Sequence, residues 1–295
     1  MSRITRREWN RLAASSLMAT VVSDDMLAGP QRINSKFNGV QIGAQSYSFR
    51  DRSLDEMIKA MVEIGLGSCE LWQGHIEPGD LRGPQNRDKL REWRLKAPLD
   101  EFKKVREKFD RAGIELYAYN LSLRDDFTDE EIERGFQMAK ALGVKVMTAS
   151  SNVTAAKRID RFARQYKVRV GMHNHSVIRP NEFAAPKDFA EAMNGASEYI
   201  AINLDIGHFT AANFNAVGFL LEHHSRVVSL HLKDRKLGQG PNVAFGQGDT
   251  PIKEVLALLR QHRWPIPANI EYEYPGTDTV EEVKRCLAYV REALT

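Results

Sequence analysis

Four stretches in the second half of the chain end in side chains that can bind a metal or move a proton. They read VRVGMHNH (168–175), AINLDIGH (201–208), VVSLHLKD (227–234) and ANIEYEYP (268–275). Each is a short apolar run whose C-terminal tip carries His, Asp or Glu. Side chains alternate faces along a strand, so Asp205, His231 and Glu271 can face the same way at one depth. His173 and His175 share a face around Asn174 and offer a fourth ligand, His173 being the expected one. One Asp, one Glu and two imidazoles make a mixed nitrogen and oxygen set. Such a set suits a single divalent ion of the Mn, Zn, Co or Mg kind rather than a soft thiolate centre. The competing reading is a network of hydrogen-bonded polar residues without an ion. Burying that many ionisable groups unpaired would cost several kcal/mol each, which favours the metal.

Other residues could serve the same pocket. Lys233 follows His231 by two and shares its face. It could neutralise a developing enolate oxygen or a substrate carboxylate, or pair with Asp205 or Glu271. Glu273 lies one layer above Glu271, as a base or an alternative ligand. His208 and His175 are further candidates for proton transfer. Glu70 and His75, in the segment ELWQGH, are expected over the pocket unless they are solvated loop positions. Tyr47, Trp72 and Tyr119 come at strand ends and could stack on a sugar ring, although aromatic residues there are also ordinary caps of a core. The segment FGQGDTP (245–251) has Gly at its bends and could bring backbone N–H groups to a substrate.

Eight strands with intervening helices must position these groups. The apolar runs predict strands at 40–47, 67–72, 114–120, 144–149, 168–174, 201–206, 227–232 and 268–274. Most are continuous, as expected of strands covered on both faces. Amphipathic segments such as SLDEMIKAMVEIG and DEEIERGFQMAKALG lie between them. Ser53 with Glu56, Thr128 with Glu131 and Thr279 with Glu282 have the spacing of capping boxes. Thr250-Pro251 supplies a cap and a first-turn proline, and Gly65, Gly113 and Gly143 supply left-handed helix ends. Eight β and α units in about 255 residues predict one α/β domain closed as a (β/α)8 barrel. An open doubly wound sheet would want a Gly-rich phosphate turn after the first strand, where the chain reads QSYSFRD. The long basic connection 73–98 is expected to be a lid or a subunit contact.

The chain has 295 residues, 42% apolar content and a net charge of +3. Near-balanced charge argues against nucleic acid as the partner. Two well-separated cysteines, Cys69 and Cys286, read as core residues and not as metal ligands. The N-terminus differs from the rest. Arg3, Arg6, Arg7 and Arg11 precede an apolar stretch from Leu12 to Val22 that is too short to span a bilayer. That order predicts an export signal over residues 1–28, with Arg6-Arg7 resembling a twin-arginine signal. A linker over 29–39 and the barrel over 40–295 would follow. The expected setting is the periplasm or the exterior, without stable membrane insertion, and the cytoplasm if the segment is not a signal.

The motif Asp205-x-x-His208, the strand end His231-Leu-Lys233-Asp234 and the strand end Ile270-Glu271-Tyr272 together resemble the xylose-isomerase-like barrel superfamily. This group holds sugar isomerases, ketose 3-epimerases, inosose dehydratases and the endonuclease IV type of repair enzyme. The resemblance runs from about Val40 to the C-terminus. It implies a metal held at Asp205, His231 and Glu271, with His208 touching substrate. The epimerases use a Glu where this chain has His173. Their pair of flanking carboxylate bases is therefore incomplete here. The family default is an isomerase or epimerase of a sugar or keto-sugar, possible as a homo-oligomer. A lyase or hydratase on a 3-keto-glycoside is the alternative, since elimination needs a base on one face only. A metal-free sugar-binding barrel is a further alternative, and a nuclease would need more ligands and a basic surface.

Overall fold

The computed structural model describes residues 31–295. The leader expected over 1–28 lies outside the described residues. Eight parallel strands close into a barrel: β2 (Val40–Gln45), β3 (Ser68–Trp72), β4 (Glu115–Asn120), β5 (Val146–Ala149), β6 (Arg169–His173), β7 (Ile200–Asp205), β8 (Val227–Leu232) and β11 (Ala268–Ile270). Each pairs with the next, and β11 returns to β2 through Ala268↔Ile42 and Ile270↔Ala44. The fold is the single (β/α)8 barrel expected, and two short strands outside it, β9 (Asp234–Arg235) and β10 (Asn242–Val243), pair with each other. Its main core lies between strands and helices, where the outward-facing side chains Ile42, Leu71, Met172, Leu204 and Leu230 are fully or almost fully buried. A small separate cluster of Ala118, Val146, Ala201 and Val228 fills the barrel floor.

Helices α1 (Leu54–Ile64), α3 (Leu99–Arg111), α4 (Asp129–Ala141), α5 (Ala156–Tyr166), α6 (Pro186–Met193), α8 (Ala216–His223), α9 (Ile252–His262) and α10 (Thr279–Leu294) surround the strands. Ser53 forms the expected reciprocal box with Glu56. Thr128 caps α4 by accepting from the Glu131 N–H, but the Glu131 carboxylate is taken by Arg87 and Arg94 instead. At α10 the cap is Asp278 and not Thr279, because the Asp278 carboxylate accepts both the Val280 and Glu281 N–H groups while the Thr279 hydroxyl donates to Asp51. Gly65, with φ +83°, ends α1 in the left-handed region, where a Cβ would be strained.

Two departures bear on the site. The stretch expected as a linker joins the barrel: β1 (Lys36–Phe37) pairs antiparallel with β2, and the buried Ser35 hydroxyl accepts the Gly67 N–H. The last strand stops at Ile270, four residues short of the reading. The Glu271 N–H still reaches the Leu232 carbonyl at 3.0 Å, and the Tyr272 N–H passes to the Ser48 hydroxyl at 2.9 Å. The connection after β3 is ordered by a buried ion-pair relay. Arg94 of α2 (Arg87–Lys96) bridges Glu77 at 2.7 Å and Glu131 at 2.8 Å.

Candidate metal centre and pocket

Local structure explains why each donor points where it does. Asp205 ends β7 and also caps the short helix α7 (Ile206–Ala211). Its Oδ1 accepts the His208 N–H at 2.6 Å, which leaves Oδ2 aimed into the barrel. The Asp-x-x-His spacing is thus one helical turn. The Asn174 side chain clamps the β6 tip to β7, donating to the Asp205 carbonyl and accepting from its N–H, both at 3.0 Å. Gly171, two residues before His173, keeps the barrel interior open: a Cβ there would come within 2.8 Å of Val228 Cγ2.

His173, Asp205, His231 and Glu271 each bring one donor atom to a region in which all four lie within 4.8 Å of one another. All four residues are buried. His173 Nδ1, Asp205 Oδ2, His231 Nδ1 and Glu271 Oε2 are buried atoms that no well-directed hydrogen bond satisfies, and His231 Nδ1 lies 3.0 Å from Glu271 Oε2. Lys233 Nζ is near two of them, at 3.2 Å from Asp205 Oδ2 and 3.0 Å from Glu271 Oε2, at ion-pair distance but poorly directed. An unsatisfied buried polar atom costs about 1–3 kcal/mol. Two imidazole nitrogens and two carboxylate oxygens that converge so poorly directed on their neighbours are the donor set a divalent ion would satisfy.

Beneath this set lies Glu70. It is fully buried one layer below the pocket and does not line it, contrary to the substrate contact expected from sequence. Its Oε1 faces His231 Nε2 at 2.9 Å and accepts from Thr148 Oγ1 at 2.6 Å and Gln45 Nε2 at 3.0 Å. Its Oε2 accepts from Ser229 at 3.1 Å and Asn269 at 3.4 Å. A carboxylate on Nε2 fixes the tautomer that leaves Nδ1 free for a metal.

The electrostatics follow from burial and charge. Burial opposes the Lys233 charge, but Asp205, Glu271 and Glu273 outweigh it and hold the ammonium protonated far above its ordinary range. Burial pushes Asp205 up to about 6, with Lys233 pulling the other way. Burial also works against Glu271, yet Lys233 and His231 keep it ionised well below its ordinary value. His231 is disfavoured as a cation by burial but is raised well above its ordinary value by Glu70 and Glu271. His173 is held neutral by burial and by His231. His208 is held neutral by burial and by Lys233. Arg235 Nη1 lies 2.8 Å from His208 Nδ1 and Lys233 Nζ lies 3.1 Å from its Nε2. A ring between two donors that cannot accept has no room for a second proton.

The pocket above the four donors has a volume of about 230 Å³. His175, His208, Lys233 and Glu273 line it, as do Tyr47 and Trp72, whose rings meet edge to face at 4.9 Å. Glu273 touches Lys233 at 2.6 Å. His75 and Tyr119, expected at the substrate, do not line this pocket. His75 stands behind Trp72, its Nε2 3.0 Å from the Ser46 carbonyl. Tyr119 points into the helix-facing core. The cause is a bulge: Cys69 pairs with Leu116 but Glu70 with Ala118, so Tyr117 has no partner and the faces invert beyond it. Asn120 turns inward in its place. Gln45, Asn120, Ser122 and Ser150 also line the pocket and were missed. Polar residues at or just beyond apolar strand tips were the available signal.

Comparison with known proteins comes to the same fold. The family model described as xylose isomerase-like TIM barrel matches residues 58–292. Among solved structures, 3-keto-D-glucoside 4-epimerase, YcjR, from E. coli is 14% identical, with a TM-score of 0.64 over 86% of this chain and 99% of its own. The probable 3-DHS dehydratase AsbF from Bacillus anthracis is 15% identical, with a TM-score of 0.61 over 85% and 98%. The IOLI protein, solved with a bound zinc atom, is 17% identical, with a TM-score of 0.63 over 86% and 97%. At these identities the likeness shows the fold. No curated protein matches the chain.

Proposed function

Because the chain belongs to the xylose isomerase-like TIM barrel family, we propose that it is a metal-dependent isomerase or epimerase of a sugar or keto-sugar, working by proton abstraction next to a carbonyl. The observation that carries this reading is the convergence of four buried donors that no well-directed hydrogen bond satisfies, from His173, Asp205, His231 and Glu271, directly below a polar pocket. An ion held there would supply Lewis-acid stabilisation of an oxygen that gains negative charge. The chain's own residues do the rest. Glu273 is the base: its carboxylate reaches the pocket without belonging to the four-donor set. It takes the proton from the carbon beside the carbonyl. Lys233, beside it, offers a fixed cation to the oxygen on which charge develops. Tyr47 and Trp72 present apolar ring area to a sugar face. Asn120, Ser122 and Ser150 offer neutral donors and acceptors to hydroxyl groups. His208, kept neutral, accepts a hydrogen bond from one of the two cations beside it, Arg235 or Lys233, and helps hold that cation at the pocket.

One observation favours a second reading, a lyase or hydratase on a keto-sugar. The carboxylates lining the pocket are Glu271 and Glu273, and β6 contributes His173 where the epimerases have a Glu. Elimination asks for a base on one face only.

Asp205→Ala tests the metal reading common to both. Metal content and turnover of a keto-sugar substrate should both be lost while the barrel stays folded. A variant that keeps its full metal content shows the donor set to be wrong.

A further inference from the structure

One wall of the pocket is held from outside it. Trp72 and Ser122 line the pocket, and both are tied to the turn that follows β3. Ile76 and Glu77 close that turn by donating their N–H groups to the Gln73 carbonyl, both at 2.9 Å. Gln73 and Glu77 are therefore one helical turn apart, and their side chains meet. Gln73 Oε1 accepts the Ser122 N–H at 2.8 Å, and Gln73 Nε2 donates to Glu77 Oε2 at 2.8 Å. Glu77 Oε1 accepts from Arg94 Nε at 2.7 Å, and Arg94 Nη1 donates to Glu131 at 2.8 Å. Trp72 immediately precedes Gln73. The Arg82 guanidinium lies 4.8 Å from its ring centroid and donates to the Gly74 carbonyl of the same turn. We propose that Glu77 and Arg94 are positioning residues for the substrate: acting through Gln73, they fix the wall made by Trp72 and Ser122, although neither lines the pocket. This inference rests on the reading of the pocket as a sugar site.

The direction of every bond in the chain is forced. The Ser122 N–H at one end and the Arg94 guanidinium at the other can only donate. Between them stand one amide and one carboxylate. The amide must turn its oxygen to Ser122, so its NH2 group faces Glu77 and needs an acceptor. Glu77 must then accept on both oxygens, which a carboxylate can do and an amide cannot. A glutamine at 77 fails whichever way it turns. With its oxygen on Arg94, its NH2 group meets the Gln73 NH2 group. If Gln73 flips to relieve that contact, its own NH2 group meets the Ser122 N–H. One donor always faces another.

Glu77 and Arg94 are both buried. A buried ion pair adds little net stability over apolar packing, because desolvation offsets most of the attraction. What this pair supplies is a single geometry, carried by Gln73 to the backbone of Ser122 at the tip of β4. Arg94 in turn is held by Glu131 of α4, so the wall is braced against the outer helices and not against the metal donors.

The test uses the forced polarity. Glu77→Gln leaves two donors facing each other. Gln73→Glu combined with Glu77→Gln restores every bond, with the carboxylate moved one link along and the total charge unchanged. In Glu77→Gln the Ser122 amide should lose protection from hydrogen exchange. KM for a keto-sugar should rise about tenfold, the effect of one well-placed hydrogen bond, with kcat and metal affinity nearly unchanged. The double variant should recover both Ser122 protection and KM. Gln73→Met, which leaves the ion pairs whole, should raise KM in the same way and decides the matter should Glu77→Gln fail to fold. No turnover of any keto-sugar by wild type refutes the functional reading, and the sugar-positioning role with it. Turnover with unchanged KM in Glu77→Gln and Gln73→Met, or a raised KM that the double variant does not recover, refutes the positioning role alone.

Discussion

Replacing Glu70 with Gln should weaken metal binding by about 10–100-fold while leaving the barrel folded. The magnitude follows from what surrounds the carboxylate. Five donors converge on it: His231, Thr148 and Gln45 on Oε1, Ser229 and Asn269 on Oε2. Truncation to Ala would strand them all in a dry interior. At about 1–3 kcal/mol each, that loss rivals the roughly 5–15 kcal/mol by which a domain is stable. Gln is the usable probe. Its single oxygen can stay on the side of His231, Thr148 and Gln45. Its amide group then faces Ser229, whose hydroxyl can turn to accept, and Asn269, whose amide can flip. What is lost is the charge on the oxygen facing His231 Nε2. The imidazole becomes a weaker ligand and its orientation is less firmly held. A tenfold change in affinity is about 1.4 kcal/mol, so the expected loss is about 1.4–2.8 kcal/mol. Competition against a chelating dye measures it directly, with the thermal midpoint of the stripped protein as the control for folding. Unchanged affinity in a folded Glu70→Gln protein would refute the link from Glu70 through His231 to the metal.

Three further outcomes are expected. Lys233→Met should lower kcat by about 100-fold or more with metal content intact, because it removes a fixed cation from beside Glu273 and not a ligand; metal analysis and steady-state kinetics on one preparation check it. Tyr119→Phe should leave kcat/KM unchanged and stability equal or higher by about 1 kcal/mol, since the phenol oxygen is buried without a partner and faces away from the pocket. Metal affinity should fall in two stages as pH drops: first because His231, which Glu70 and Glu271 hold protonated well above its ordinary value, must release its Nδ1 proton to ligate, and again through about 6, where Asp205, raised by burial, takes up a proton while an ordinary aspartate would still be charged. Chelator competition at several pH values would expose a flat profile, which would remove Asp205 from the ligand set.

The barrel was legible because strands covered on both faces must be continuously apolar, and ionisable residues at their C-terminal tips stand out against that background. The donors at 173, 205, 231 and 271 could be read because alternation within one strand needs no knowledge of its neighbours. Depth and phase could not. Glu70 is only two residues from the end of β3, but the stagger of the closed barrel sets it below His231, and stagger is a property of pairing between strands. Tyr119 failed for a related reason. Strict alternation from Leu116 would face it inward, and the unpaired Tyr117 inverts the phase. The end of β11 was overread because Glu271 to Tyr274 keep strand-like composition while their backbone turns to Ser48 and the first loop.

Deuterium exchange most directly tests metal-assisted proton abstraction in this pocket. A panel of keto-sugars would be followed by NMR in D2O with the metal-loaded and the chelator-stripped protein. At least one sugar should take up deuterium at the carbon beside its carbonyl with the loaded protein, lose that exchange on stripping and regain it when metal is restored. Exchange that persists undiminished in the stripped protein would contradict the role given to His173, Asp205, His231 and Glu271.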